Sequence, residues 1–93
     1  MLIAVRVIIS GRVQGVGYRA WTISTASKRG LQGWVRNRSD GSVEAVFSGE
    51  EETVLAMIES CKDGPVTARV GRIESFTWKE KIEVGIFTAR PTV

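Results

Sequence analysis

The spacing of hydrophobic positions divides the chain into short segments, most of which have the two-residue period of a strand. Residues 2–10 are rich in β-branched side chains and predict a strand that is mostly buried. Alternation at 32–38, 42–48, 69–78 and 82–90 predicts four further strands. We expect the last of these strands to lie at an edge of the sheet.

Two other segments have the 3.6-residue period of a helix. Residues 18–29 carry the weaker pattern, which Gly30 is placed to end. Their shared face is formed by Tyr18, Thr22, Ala26 and Arg29, with Trp21 and Thr25 nearby. The clearer helix covers residues 50–62, where Ser48 and Glu51 have the spacing of a capping box. Its apolar face is formed by Val54, Ile58 and Cys61, with Leu55 and Met57 beside them.

The order β-α-β-β-α-β-β predicts one ferredoxin-like α+β domain over residues 1–93. We expect a five-stranded antiparallel sheet with two helices on one face. Asp40-Gly41 is a strong signal for a hairpin between the second and third strands. A right-handed crossover makes the first two strands parallel, with the third strand paired between them. Their carboxyl ends should then lie about 10 Å apart on one edge, where the loop at 11–18 meets Asn37.

The composition removes several kinds of chemistry. The chain has no histidine, which is the commonest metal ligand and the usual general base. Cys61 is the only cysteine, so neither an internal disulfide nor a thiolate metal cluster can form. We therefore expect no metal and no cofactor. The net charge of +3 suits an anionic small molecule as readily as a nucleic acid and does not decide between them.

The length and the apolar runs bear on where the protein works. Ninety-three residues are enough for one compact domain and too few for two. No apolar run approaches the roughly 18 residues that a membrane helix needs. Arg6 interrupts the apolar start of the chain, which no basic leader precedes. We expect a cytoplasmic protein, a monomer by default for this size, that contacts neither membrane nor nucleic acid.

A glycine-rich loop between the first strand and the first helix has the character of an anion site. Gly11, Gly15 and Gly17 allow positive φ values, which can turn several main-chain N–H groups inward beside a helix N-terminus. Arg19 follows in the first helical turn, and a guanidinium can bind phosphate through two hydrogen bonds. Neither the dinucleotide fingerprint nor the Walker pattern is present. A tight turn followed by a solvated arginine fits the same residues equally well.

Asn37 is the second polar candidate, near the end of the second strand. A carboxamide can accept a hydrogen bond from water and donate one to a phosphoryl oxygen, so it can orient water without acting as a base. Taken alone, however, an asparagine before a turn is more often bonded to its own hairpin.

These two stretches resemble the two signatures of the acylphosphatase family. The first extends over residues 9–19, and the second over 33–37, followed by Gly41, Val43 and Gly49 at the family's spacing. Further matches are Gly64-Pro65 and Ala68-Arg69-Val70. The resemblance covers essentially the whole chain.

The resemblance implies hydrolysis of acyl phosphates to a carboxylate and inorganic phosphate, without a metal or a covalent intermediate. Arg19 corresponds to the family's phosphate-binding arginine and Asn37 to its water-positioning asparagine. The loop at 11–18 corresponds to the main-chain cradle, formed by Gln14, Gly15, Val16, Gly17 and Tyr18. Two residues depart from the pattern: Tyr18 replaces a phenylalanine or methionine, and Arg29 replaces an apolar residue before the helix-ending glycine.

Three other readings are open. A covalent phosphatase built on Cys61 would need an arginine six residues later, where the chain has Thr67. An RNA-binding sheet would need exposed aromatics on its central strands, which offer only Phe47. The tryptophans lie on other elements: Trp21, Trp34 and Trp78. A carbamoyl-phosphate-handling domain of the same fold usually belongs to a much longer protein, so a chain of 93 residues favours a free-standing enzyme.

Overall fold

The structure is a computed structural model that describes residues 1–93, with five strands and two helices in the predicted order. The elements are β1 (Leu2–Arg12), α1 (Tyr18–Lys28), β2 (Gln32–Asn37), β3 (Val43–Glu50), α2 (Glu51–Cys61), β4 (Arg69–Thr77) and β5 (Phe87–Ala89). The predicted bounds hold within one or two residues except in the last strand. That strand was predicted over 82–90 and contains only three residues.

The strands form one sheet in the order β4-β1-β3-β2-β5. Strands β1 and β2 are each antiparallel to β3, which lies between them, so they are parallel to each other as predicted. Their carboxyl ends therefore share one edge, and this arrangement brings the loop after β1 towards the end of β2.

The prediction of a wholly antiparallel sheet is wrong at one edge. Strand β5 is the edge strand that was predicted, but it pairs in parallel with β2, with Gly33 opposite Phe87. The reason is the path of the chain. Strand β4 ends beside the start of β1, where Thr77 is opposite Val5. The chain then crosses that end of the sheet to reach Gly33, from which β5 can extend only in the direction of β2.

Both helices pack on the same face of the sheet, over a core of fifteen buried apolar residues. Helix α1 buries Tyr18, Thr22 and Ala26, as predicted. The predicted fourth residue of that face, Arg29, is instead the exposed C-cap. Phe47 of β3 stacks on Phe87 of β5 at 5.5 Å, so the short edge strand is fastened by its side chain as well as its main chain.

Two predictions for α2 need correction. The buried stripe of this helix runs through Val54, Met57 and Cys61, so Met57 takes the place predicted for Ile58, which is only partly buried. Leu55, predicted beside the face, is 53% exposed because it lies about 100° from Val54. The capping box does not form either. Ser48 belongs to β3, and Glu50 is the N-cap with extended dihedral angles and no side-chain capping bond. Because the strand runs directly into the helix, no turn remains for Ser48 to cap.

The opposite face of the sheet carries a buried ionic cluster. Glu44 is 4% exposed and accepts from Arg6 Nε at 2.5 Å and from Arg36 Nε at 2.6 Å. Burial tends to raise the pKa of this carboxyl, but the hydrogen bonds and charges of the two arginines outweigh it and lower the pKa.

Neither helix is long and apolar enough to span a bilayer.

Candidate active site

The two sequence candidates line one hollow at the carboxyl edge of β1 and β2. Asn37 is the last residue of β2, and Arg19 lies in the first turn of α1. Both line a hollow of about 330 Å³ together with Gly15 and Gly17. Its apolar wall is formed by Val13, Tyr18, Ala20, Ile23 and Ala89. Residues that are eighteen positions apart in the chain thus meet where the strand order predicted.

The loop takes a path that requires its glycines. Gly15 and Gly17 have φ values of 73° and 81°, a region in which a side chain would be strained. Gly17 is the N-cap of α1, so no side chain caps the helix, and its first turn contains no acidic residue. The amides at the start of α1 are consequently without a capping group, as an anion site requires.

Arg19 is available to such an anion. Its side chain is exposed, and it makes no ion pair or side-chain hydrogen bond within the chain. By contrast, Arg6, Arg36, Arg38 and Arg72 are each paired with a carboxylate. An unpaired guanidinium beside uncapped amides is a suitable receptor for phosphate oxygens.

The side chain of Asn37 is not bonded to its own hairpin, contrary to the reading that its position alone favoured. Its Oδ1 is buried and has no hydrogen-bond partner in the chain. Asp40 closes the turn instead, because its Oδ1 accepts from Ser42 N at 2.9 Å and from Ser42 Oγ at 2.6 Å. A buried carbonyl oxygen without a partner costs about 1–3 kcal/mol. A water or ligand donor that reached Oδ1 would remove this cost.

Gln14 is a residue whose side chain the sequence reasoning missed. Its Nε2 donates to Arg38 O and to Ser42 O, both at 2.8 Å. The phosphate loop is thereby tied to the β2–β3 hairpin, whose first strand ends in Asn37. The sequence assigned Gln14 only a main-chain role, since no local pattern reveals partners 24 and 28 positions away.

Two further hydrogen bonds attach the phosphate loop to parts of the domain other than the β2–β3 hairpin. Tyr18 is 1% exposed, and its hydroxyl donates to Cys61 O at 2.6 Å. The hydroxyl that departs from the family pattern therefore has a buried partner, and burial raises the pKa of Tyr18. Thr67 Oγ1 donates to Val16 O at 2.6 Å. The loop is thus anchored to both α2 and the segment before β4.

Arg29, the second residue that departs from the family pattern, and Cys61, the alternative nucleophile, both have structural roles. Arg29 reaches from the end of α1 to α2, where its Nη2 donates to Ser60 Oγ at 2.9 Å. Cys61 is fully buried and does not line the hollow, and burial raises the pKa of its thiol to about 12. A thiol of this kind is not a nucleophile at neutral pH.

No side chains are grouped as a metal site would require. The structure contains no cluster of three or more histidine, cysteine, aspartate or glutamate residues that could hold a metal ion. The chemistry available in the hollow is therefore a guanidinium, main-chain amides and one carboxamide.

A model of the acylphosphatase family matches residues 5–88. The chain belongs to the acylphosphatase family. An acylphosphatase of Azorhizobium caulinodans is 61% identical over 67 residues, which are 72% of either chain. An acylphosphatase of Rhizorhabdus wittichii is 47% identical over 91 residues, which are 98% of this chain and 91% of its own.

Solved structures agree with this assignment. The crystal structure of an acylphosphatase from Bacillus subtilis is 37% identical and has a TM-score of 0.86, covering 97% of this chain and 99% of its own. Full-length HypF in its phosphate- and nucleotide-bound form is 30% identical over 99% of this chain, with a TM-score of 0.88. That likeness covers only 12% of HypF, so the same fold also occurs within a much longer chain. The activity of this acylphosphatase is the hydrolysis of acyl phosphates.

Proposed function

We propose that Arg19 and the loop amides bind the phosphoryl group of the substrate and that Asn37 places the attacking water. The amides are those of Gln14, Gly15, Val16, Gly17 and Tyr18. The observation that carries the proposal is that Arg19 and Asn37 line one hollow, and that the guanidinium of Arg19 and the buried Oδ1 of Asn37 both lack partners in the chain. The first requires an anion and the second requires a hydrogen-bond donor, such as water.

The leaving group explains why these few groups suffice. An acyl phosphate expels a carboxylate, whose parent acid has a pKa near 4, so the leaving oxygen departs without being protonated. Phosphoryl transfer passes through a loose transition state in which charge is spread over the equatorial oxygens. Arg19 and the amides stabilise that charge, and the carboxamide of Asn37 holds the water in line. A phosphate oxygen of the substrate accepts the proton of the water.

Gln14 acts in this scheme as a positioning residue. The phosphate is held by the loop and α1, whereas the water is held by the last residue of β2. The relative position of the two depends on what joins the loop to the hairpin. Gln14 Nε2 joins them directly through its bonds to Arg38 O and Ser42 O. It should therefore affect the alignment of the water with phosphorus more than the binding of phosphate.

The location, oligomeric state and partners of the protein are also proposals. We propose a cytoplasmic monomer that acts on a small molecule and not on nucleic acid. The RNA-binding reading has little support, because Phe47 is fully buried beneath the helices and Trp34 is only 2% exposed. Neither ring is free to stack on a base. Carbamoyl phosphate belongs in the substrate panel beside acetyl and benzoyl phosphate, since a carbamoyl-phosphate-handling role is the nearest alternative.

The roles are tested by phosphate release from benzoyl phosphate. We expect Arg19→Gln to abolish measurable turnover and Asn37→Ala to lower the rate by at least ~10²–10³, the scale of a lost preorganised donor. Lys28→Gln is the matched control, because it removes another exposed cation from the opposite end of α1. Near-normal hydrolysis by a folded Arg19→Gln or Asn37→Ala variant would remove that residue from the site. An alkyl phosphate should be a poor substrate, and hydrolysis as fast as that of benzoyl phosphate would contradict the mechanism.

A further inference from the structure

A second hollow adjoins the phosphate site and has a different character. It has a volume of about 530 Å³ and lies between the phosphate loop and the segment before β4. Its lining is Arg12, Gly15, Val16, Val66, Thr67 and Arg69. The lining contains two cations and no carboxylate.

The two arginines are held together by the sheet. Arg12, the last residue of β1, is directly opposite Arg69, the first residue of β4, beyond a bulge at Ser10/Gly11. The strands approach closely here, since a Cβ at Gly11 would lie 2.4 Å from Arg69 O. Like charges at opposite positions of an antiparallel pair destabilise it. The fold thus accepts an unfavourable pairing at this edge.

Nothing in the chain neutralises that pair. No carboxylate lies within ion-pairing distance of either guanidinium, and Arg69 Nη1 donates only to main-chain oxygens, at 3.0 Å to Ala68 O and 3.4 Å to Val66 O. The other arginines of the strands all have acidic partners, Glu44 or Glu74. An exposed pair of like charges with free donors is relieved when an anion bridges them.

The position of the arginine pair indicates which anion it would bind. Gly15 lines both hollows, so the phosphate site and the arginine pair adjoin at a residue without a side chain. Apart from the neighbouring residues of the chain, no heavy atom lies within 4 Å of the place that a Cβ of Gly15 would occupy. A substrate whose phosphate is bound by Arg19 can therefore extend its acyl part past Gly15 towards Arg12 and Arg69.

We propose that Arg12 and Arg69 form a subsite for a second anionic group and that the preferred substrates are acyl phosphates with a carboxylate or phosphate at the far end of the acyl part. This inference rests on the proposed phosphate site, because it takes Arg19 and the loop as the place where the phosphoryl group binds. The arginine pair acts on substrate selection and takes no part in bond cleavage.

The test compares substrates that differ only in the distal charge. Values of kcat/KM are measured for benzoyl phosphate and for its 3-carboxy and 4-carboxy derivatives, each divided by its uncatalysed hydrolysis rate. Because each exposed ion pair contributes only modestly, we expect the two arginines to favour at least one carboxylated substrate by about five- to tenfold. The preference should decrease as the salt concentration rises, since the charges are exposed.

The variant Arg12→Ala/Arg69→Ala should lose that preference. Its kcat/KM should fall about five- to tenfold more for the carboxylated substrate than for benzoyl phosphate. Lys79→Ala/Lys81→Ala is the control, because it removes the same charge from exposed positions beyond the opposite end of β4. The control should keep the preference. The proposal is overturned if the wild-type protein shows no preference, if both double variants alter it equally, or if Arg12→Ala/Arg69→Ala affects all substrates alike.

Binding measurements distinguish an error in the proposed subsite from an error in the proposed function. The affinities of benzylphosphonate and 4-carboxybenzylphosphonate, which cannot be hydrolysed, are measured by calorimetry with the same variants. Tighter binding of the carboxylated compound that depends on Arg12 and Arg69 supports the subsite, even if no acyl phosphate is hydrolysed. Equal affinities together with normal hydrolysis of benzoyl phosphate would refute the subsite and leave the proposed function intact.

Discussion

Replacing Gln14 with leucine separates the alignment of the site from the stability of the fold. Leucine keeps most of the volume of the side chain but removes the two 2.8 Å hydrogen bonds to Arg38 O and Ser42 O. Each neutral hydrogen bond contributes about 1 kcal/mol. Neither carbonyl is left without a donor, because Arg38 O still accepts from Gly41 N at 3.1 Å and Ser42 O from Arg38 N at 2.9 Å. The free energy of unfolding should therefore fall by only about 1–2 kcal/mol.

The loss of rate should be larger than this stability cost suggests. Without the tie, the loop and the hairpin can drift apart, and a displacement of about 1 Å can cost on the order of 10² in rate. We expect kcat for benzoyl phosphate to fall about 10–100-fold. KM should change much less, because the proposed phosphate contacts from Arg19 and the loop all lie on one side of the broken link.

Gln32→Leu is the matched control for this experiment. Gln32 Oε1 accepts from Gly85 N at 2.7 Å, so its loss also removes a bond between a glutamine side chain and the main chain, but away from the proposed site. Steady-state kinetics and urea unfolding are measured for both variants. A kcat for Gln14→Leu no lower than that for Gln32→Leu, or a raised KM with unchanged kcat, would refute the positioning role.

Three further predictions concern stability and metals. Tyr18→Phe removes the buried bond to Cys61 O and should lower the free energy of unfolding by about 1–3 kcal/mol, measured in urea; equal stability would contradict this. Glu44→Gln should cost about 1.5–3 kcal/mol at pH 7. Because the pKa of Glu44 is lowered on folding, the difference should be full above the unfolded pKa near ~4.3. It should be lost as the pH falls through the lower folded pKa, so equal differences at pH 7 and pH 3 would contradict it. A chelator should leave hydrolysis of benzoyl phosphate unchanged, and loss of activity restored by a metal would contradict the metal-free scheme.

The sequence predicted what depends on local pattern and on general rules of chain topology. The two-residue period located the strands, and the 3.6-residue period located the helices. The handedness of the crossover placed the glycine loop beside Asn37. The direction of β5 depends instead on the path of the chain, which leaves the end of β4 and crosses that end of the sheet before β5 begins. The alternation of side chains in a strand is the same for either direction, so this feature could not be predicted.

The side-chain partners were beyond prediction for a related reason. Gln14 bonds to main-chain oxygens of a hairpin, and Tyr18 bonds to a carbonyl at the end of α2. Main-chain acceptors are present at every position, so no residue type marks them in the sequence. Leu55 shows the same limit for burial, since a helix with a narrow buried stripe can leave a large apolar residue exposed.

Three features that reduce stability lie at the edge where substrate is proposed to bind. The loop needs positive φ values at Gly15 and Gly17, Asn37 Oδ1 has no partner, and Arg12 is opposite Arg69. Each departs from what would stabilise the chain alone. Departures of this kind are expected at functional sites, because an anion and a water supply the missing partners. Substitutions that relieved them without substrate would therefore stabilise the protein at the expense of activity.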